Sequence, residues 1–365
     1  MKVLFVLPNI SVGGVERVRL ALIEYFSARG IECRLALSQR RGELLEHACQ
    51  LVAVDDLAPR GLHQFVPSLA RLIRRVRPTH VVTAFADIGV LTWLALRLAR
   101  SRAKWVHTVD GKDIAGPDAG SMGKLQFLTR RHAARFVYRY ADAVVPVSEG
   151  LRAEVISGGV RNPRRVTVLY NPVVPNEELQ WRRKPPGGDP GLCRIVAMGR
   201  LAPEKGFDSL LRALVKVQGP WQLSIWGEGA ERVKLTRLIM ELDMQDRVRL
   251  CGYTSDPLRA LRDSDLFVMP SQHEGLGNAL IEALACQCQI VASDCPYGPR
   301  EILQDGRLGE LVPVGDVDAL AGAIERAMAG QRRVSPELLL QRANDFSVSK
   351  TGSQWEQLLR ELSVG

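Results

Sequence analysis

Short apolar runs punctuate this chain at regular intervals. In the first half they read VLFVL, CRLAL, HVVTA, KWVHT and AVVPVS, each followed by a longer stretch of helical periodicity. Strands this uniformly apolar are covered on both faces, as in a parallel sheet, and the stretches between them are long enough for the crossover helices that parallel strands require. The second half repeats the scheme with RIVAMG, QLSIWG, VRLCG, LFVMPS and QIVASD. Most of these strands stop at glycine or a small polar residue, which leaves room for a ligand at their carboxyl ends. At 365 residues and 46% hydrophobic content the chain is too long for one ordinary domain and can fill two cores. The predicted fold is α/β, with two Rossmann-like domains facing each other across a cleft.

The stretch PNEELQWRRKPPGGDPG combines proline, glycine and charge and cannot be a buried element. It predicts a first domain over 1–175, a linker over 176–192 and a second domain over 193–346. The final segment, about 347–365, is an amphipathic helix with no strand after it, expected to pack back across the domain junction. The crevice between the domains is the default binding site.

Charge is unevenly shared. Residues 1–180 carry 26 Lys and Arg against 16 Asp and Glu, a net of +10, whereas the remainder carries 23 against 24, a net of −1. A basic half joined to a neutral half implies a docking surface on one domain rather than a nucleic-acid binder, and the aromatic residues, only 6% of the chain, are not interleaved with the basic runs. The seven cysteines lack the paired spacing of a disulfide framework or a zinc site, which implies a reducing, cytoplasmic setting; Cys286, Cys288 and Cys295 read as small buried residues. The opening MKVLFVLPNI is too short for a signal core and reads as a buried strand. The longest later apolar run, Ile88 to Leu96, is too short to cross a bilayer.

Two motifs carry chemistry. In EGLGNALIE, Glu274 stands beside Gly275, Leu276 and Gly277 at the start of a helix, and Glu282 lies on that helix roughly 12 Å further along by α-helical rise. A carboxylate accepts two hydrogen bonds from a vicinal diol, and a helix N-terminus accepts phosphate oxygens, so one segment can hold a ribose, a diphosphate and a sugar. In GRLAPEKG, Arg200 and Lys205 follow a strand end and flank a helix start. Alone they would be solvated surface charges; the flanking Gly199 and Gly206 and the strand-end position favour a diphosphate site, for which the guanidinium fork is suited.

GRLAPEKG, followed about seventy residues later by PSQHEGLGNALIEALAC and then VASD, resembles the retaining glycosyltransferases of the GT-B fold, family 4. The similarity also takes in SVGGVERV, AVVPVSEG, LYNPV and the terminal helix, and so spans nearly the whole chain. SDCPYGPREIL resembles members that build bacterial surface polysaccharides from hexoses or N-acetylhexosamines. The resemblance implies that Arg200 and Lys205 neutralise the diphosphate of a nucleotide-sugar donor without a metal or other cofactor. It implies that Glu282 binds the ribose, that Glu274 lies near the transferred sugar, and that Gly13 and Gly14 form a loop closing toward the phosphates. His107 and Asp110 match a loop facing sugar and acceptor. The implied activity is transfer, with retention, from a UDP-sugar to a lipid-linked or surface-polysaccharide acceptor. Front-face attack is implied; no carboxylate is clearly placed as the nucleophile of a covalent route.

Plainer readings stand beside these. Gly13 and Gly14 also suit an ordinary turn, and a strand-end histidine such as His107 is more often structural than catalytic. Gly227, in the WGEG turn, and Tyr253 are candidates to line the nucleotide. Asp263, Ser264 and Asp265 mimic a metal-binding Asp-x-Asp, but they end a helix and start a strand, and are read as structural. A GT-B-fold sugar-nucleotide epimerase or a non-catalytic sugar-nucleotide-binding module are the alternatives. Presence of Arg200, Lys205, Glu274 and Glu282 together argues against a degenerate site.

Residues 121–140, SMGKLQFLTRRHAARFVYRY, set five cations among apolar residues, and Arg71, Arg74, Arg75 and Arg77 form a second basic cluster. An amphipathic basic helix can lie on an anionic membrane or pack on a core with a solvated basic face, and the sequence leaves both open. The expectation is peripheral attachment to the cytoplasmic face of the inner membrane through the first domain.

Overall fold

The structure, a computed structural model, describes residues 1–57, 62–111, 124–160, 162–177, 191–331 and 333–364. It divides into two compact units, Met1–Pro172 with Val348–Gly365, and Val173–Ser347. The first boundary falls three residues before the expected one because the backbone N–H groups of Val173 and Val174 both donate to Phe346 O, tying the start of the connection to the second unit. Residues 178–190 of the expected linker lie outside the described residues.

The first unit holds β1 (Lys2–Leu7), β2 (Glu32–Leu37), β3 (Ala53–Asp56), β4 (His80–Ala84), β5 (Lys104–Val109) and β6 (Ala143–Pro146), in the order β3-β2-β1-β4-β5-β6. The second holds β7 (Cys193–Met198), β8 (Trp221–Trp226), β9 (Val248–Gly252), β10 (Leu266–Met269), β11 (Gln289–Ser293) and β12 (Glu310–Val312), in the order β12-β11-β10-β7-β8-β9. All pairings between these strands are parallel. Each sheet therefore has the strand order of a dinucleotide-binding domain, with a reversal between its first and fourth strands, β1 and β4 in one, β7 and β10 in the other. The central strands are buried as their composition demands: every residue of β4 and β10 is buried.

The terminal helix, Val348–Val364, belongs to the first unit. Trp355, Leu358 and Leu359 join the core built by Val3, Phe5, Ile23 and Phe26. Gly352 lies so close to the Tyr25 ring that a Cβ there would come within 2.7 Å of it, and Arg29 pairs with Glu356 at 3.0 Å. Asp265 is structural, its carboxylate accepting from Arg194 N at 3.0 Å. Cys286, Cys288 and Cys295 are buried.

Candidate active site

In the second unit the strand order reverses between β7 and β10, the place at which open α/β sheets bind ligands, and the loops that leave the carboxyl ends of these strands carry the motif residues. After β7 the chain runs through Gly199 and Arg200 into a single helical turn, Pro203–Lys205, and then the helix Phe207–Leu214. Gly206 joins the two at φ +64°, and a Cβ there would come within 2.2 Å of Pro270 O at the end of β10. Only glycine lets the loops after β7 and β10 approach so closely. Gly227, after β8, has φ +143° and a position 1.9 Å from Gly199 O for any added Cβ. Its N–H donates to Gly252 O at 2.8 Å, which links the ends of β8 and β9, and Tyr253 follows with about half its surface exposed.

This packing delivers Lys205 to Glu274. The ammonium lies 2.6 Å from Glu274 Oε1, and Ser271 Oγ donates to the same oxygen at 2.8 Å. The Glu274 main chain is held as well: its N–H donates to Pro296 O at 2.7 Å and its carbonyl accepts from Tyr297 at 2.9 Å. The neighbouring Cys295 thiol is pushed up to about 12 by burial and then by the Glu274 charge. Arg200 projects outward, 73% exposed, and its guanidinium meets Glu204 Oε1 at 2.6 Å. Burial raises the Glu204 carboxyl, but its backbone hydrogen bond and Arg200 carry it below the usual carboxylate value.

Gly275, Leu276 and Gly277 lead from Glu274 into the helix Asn278–Ala285, whose N-cap is Gly277 in the left-handed region, with no side chain capping the helix. The positive end of the helix thus sits close in sequence to Glu274. Glu282 lies on this helix and is only 6% exposed. A cation, a carboxylate and an uncapped helix N-terminus are the groups that can bind an anionic, hydroxyl-rich ligand.

Gly13, Gly14, His107 and Asp110 all lie in the first unit. Gly13 is the N-cap of the helix Gly14–Ala28, and the Glu16 carboxylate folds back over it, so that a Cβ at Gly13 would meet Glu16 Oε2 at 2.1 Å. Glu16 is raised in pKa by burial and further by Asp110. Arg19, 1% exposed, donates to Asp110 Oδ2 at 2.7 Å, and Thr108 Oγ1 donates to that oxygen at 2.7 Å. Asp110 Oδ1 and Arg19 Nε are buried without a partner. The neighbouring Lys112 and Asp113 lie outside the described residues.

His107 departs from the expectation that it faces sugar and acceptor. Its ring has no exposed surface, because β5 turns the side chain into the sheet's interior, where Nδ1 lies 2.9 Å from Thr83 Oγ1. Trp105 Nε1 donates to that same hydroxyl oxygen at 2.9 Å. Burial, then Arg19, lowers the His107 pKa to about 3. It is a neutral, enclosed histidine.

Comparison with known proteins agrees with this geometry. The glycosyl transferases group 1 model matches residues 183–342, and the glycosyltransferase family 4 model matches residues 12–177. The lipopolysaccharide core biosynthesis glycosyltransferase LpsE of Rhizobium meliloti is 38% identical over 319 residues, 87% of this chain and 86% of that protein. The chain belongs to the family 4, group 1 glycosyltransferases. This glycosyltransferase is also 26% identical, over 86% of both chains, to a Campylobacter jejuni N-acetylgalactosamine-N,N'-diacetylbacillosaminyl-diphospho-undecaprenol 4-alpha-N-acetylgalactosaminyltransferase. Its fold matches the crystal structure of Anabaena HepE in complex with UDP with a TM-score of 0.82 at 19% identity, covering 99% of this chain and 100% of that one.

Several residues that complete the glycosyltransferase's polar sites escaped the sequence reading. Ser271 and Glu204 sit within the motifs, three residues before Glu274 and four after Arg200, and that spacing was the available signal. Arg19 and Glu16 gave none, because a charged residue inside an amphipathic helix ordinarily faces water.

Proposed function

We propose that this glycosyltransferase moves a hexose or N-acetylhexosamine, with retention, from a UDP-sugar to a lipid-linked or surface-polysaccharide acceptor. The observation that carries the reading is the Lys205–Glu274 contact above the β7/β10 reversal, beside a helix with no side-chain cap. Arg200 and Lys205 face the donor diphosphate, Glu282 takes the ribose hydroxyls, and Glu274 lies against the transferred sugar with Gly275, Leu276 and Gly277. Gly227 and Tyr253 line the nucleotide. Uridine is supported by HepE, crystallised with UDP. The acceptor class is supported by LpsE and the undecaprenol-linked relative.

In the front-face route the bond between the anomeric carbon and the diphosphate oxygen breaks as the acceptor oxygen bonds to that carbon on the same face. The acceptor's proton passes to the departing diphosphate. Negative charge grows on the leaving group, where Lys205, Arg200 and the helix dipole stabilise it without a metal ion. Asp110, anchored by Arg19, faces the acceptor. No helix among the described residues is long and apolar enough to cross a membrane; attachment is peripheral, at the cytoplasmic face, through the basic first unit.

The test is thermal stabilisation of purified protein by UDP, GDP, UDP-hexoses and GDP-mannose, without and with magnesium, followed by acceptor-dependent release of the nucleoside diphosphate. Metal-free stabilisation by the uridine series is expected. Stabilisation by guanosine ligands alone, or only with magnesium, overturns the donor assignment.

A further inference from the structure

Two carboxyl groups and one guanidinium are buried together in the first unit, and their charges do not cancel. Glu16 is 8% exposed, and Arg19, one turn later on the same face of the helix Gly14–Ala28, is 1% exposed. Arg19 turns away from Glu16: its Nη2 donates to Thr108 Oγ1 and, at 2.7 Å, to Asp110 Oδ2. The Asp110 side chain is itself only 9% exposed. Among the described residues no cation forms an ion pair with Glu16. A buried carboxyl without a counter-charge takes up a proton rather than stay ionised. The Arg19 contact therefore puts the negative charge on Asp110 and the proton on Glu16.

A glutamate at the third position of a helix ordinarily caps it, and Glu16 folds back over Gly13 as a cap does. Such a cap is a charged group facing water, whereas Glu16 is enclosed beside a second carboxyl. Burial raises its pKa, the bond to its own backbone N–H opposes this, and of the two nearby charges Asp110 raises it further while Arg19 lowers it. Glu43, on the loop after β2, is exposed and turned to Val12 N at 3.2 Å, and His107, beyond Arg19, is neutral. A second observation points to a ligand. Asp110 Oδ1 and Arg19 Nε are buried with no partner, an acceptor and a donor on two residues already joined. Buried polar atoms are ordinarily satisfied, and a hydroxyl both donates and accepts, which a phosphate or a carboxylate does not. Asp110 directly follows β5 and Glu16 opens the helix after β1, so both stand at the carboxyl ends of the strands, where such sheets bind ligands.

We propose that Glu16 and Asp110 form a one-proton carboxyl pair that holds a sugar hydroxyl of the acceptor, with Asp110 Oδ1 accepting from that hydroxyl and the Glu16 acid donating to it or to the oxygen beside it. The inference rests on the transferase reading above and adds Glu16 to the acceptor side. The pair positions the acceptor and takes no proton from it; that proton still leaves with the diphosphate.

The experiment is an NMR pH titration of the full chain, isotopically labelled at its glutamate carboxyls, the Glu16 signal being the one missing from Glu16→Gln. Its midpoint is expected above the ordinary glutamate value of 4.5. In Asp110→Asn, where Arg19 is left to pair with Glu16, the midpoint should fall by about one pH unit or more, and in Arg19→Met it should rise. Saturating methyl glucoside, methyl galactoside or methyl N-acetylgalactosaminide, added without donor, should raise the wild-type midpoint by about one further pH unit, since an acid that donates a hydrogen bond holds its proton more tightly. A glutamate that only caps the helix responds to none of these sugars. A midpoint at or below 4.5, or one indifferent to both substitutions, overturns the pair. A raised midpoint that no glycoside moves overturns the hydroxyl site. Should the substitutions prevent folding, chemical denaturation of the wild type against Glu16→Gln decides. Native Glu16 keeps a proton that the unfolded chain has lost, so the wild type should lose stability relative to Glu16→Gln as pH rises from 4.5 through the native midpoint, and no such divergence overturns the pair. UDP binding by the same wild-type protein tests the transferase reading separately: a raised Glu16 midpoint without UDP binding fails that reading, and UDP binding with an ordinary Glu16 fails this one.

Discussion

Lys205 and Glu274 stand 69 residues apart in the chain, yet their side chains meet at 2.6 Å. The contact is partly shielded, with the two side chains 21% and 12% exposed. Charge placed there acts more strongly than on an open surface. Replacing Lys205 by Ala is therefore expected to lower kcat by about a hundredfold or more while changing KM much less, since a cation facing a leaving group acts mainly in the transition state. Steady-state kinetics on Lys205→Ala, Glu274→Ala and the double variant check this. The double variant should lose less than the product of the single losses. Equal losses in kcat and affinity would remove the leaving-group role.

Gly227 should tolerate no side chain. A Cβ would fall 1.9 Å from Gly199 O, backbone against backbone, at φ +143°. Gly227→Ala is expected to lose more than about 2 kcal/mol in urea unfolding and to lose donor binding with it, through the strained backbone and the displaced turn after β7. Gly315→Ala, at φ +76° in open space, serves as the comparison and should lose less.

The Arg19–Asp110 pair predicts an asymmetric mutational response. Arg19 is 1% exposed, so Asp110→Ala leaves a buried cation without its partner and should destabilise by about 3–5 kcal/mol. Arg19→Met together with Asp110→Ala removes both charges and should recover much of that loss. Activity measured on the double variant then separates the two roles: if Asp110 meets the acceptor directly, activity stays low after stability returns.

His107 sets a pH dependence. Its folded pKa, about 3, lies below the ordinary histidine value of 6.5, so the unfolded chain binds a proton that the native protein refuses. Stability from this group is complete above pH 6.5 and falls as the pH drops from there to about 3, by as much as ~5 kcal/mol. His107→Asn should flatten that part of the pH profile in chemical denaturation. An unchanged profile would mean that the ring is not held neutral in the interior.

What the sequence by itself determined was the repeated βαβ plan, the two-fold division of the chain and the motif residues of the second unit. Each depends on neighbours in the chain: apolar runs bounded by glycine, or charges beside a helix start. It missed β3 and β12, short strands at the sheet edges whose residues are largely exposed or half-buried and so carry no apolar run. Tertiary structure alone decided which distant groups meet. Lys205 reaches Glu274 because β7 and β10 are neighbours across a strand reversal and Gly206 lets their loops close. Arg19 turns from an apparent surface charge into a buried anchor for Asp110, and His107 from a strand-end ligand into a sealed core residue. Burial is a property of what packs on a side chain, and pairing across a sheet is set by strand order, neither of which local sequence spacing encodes.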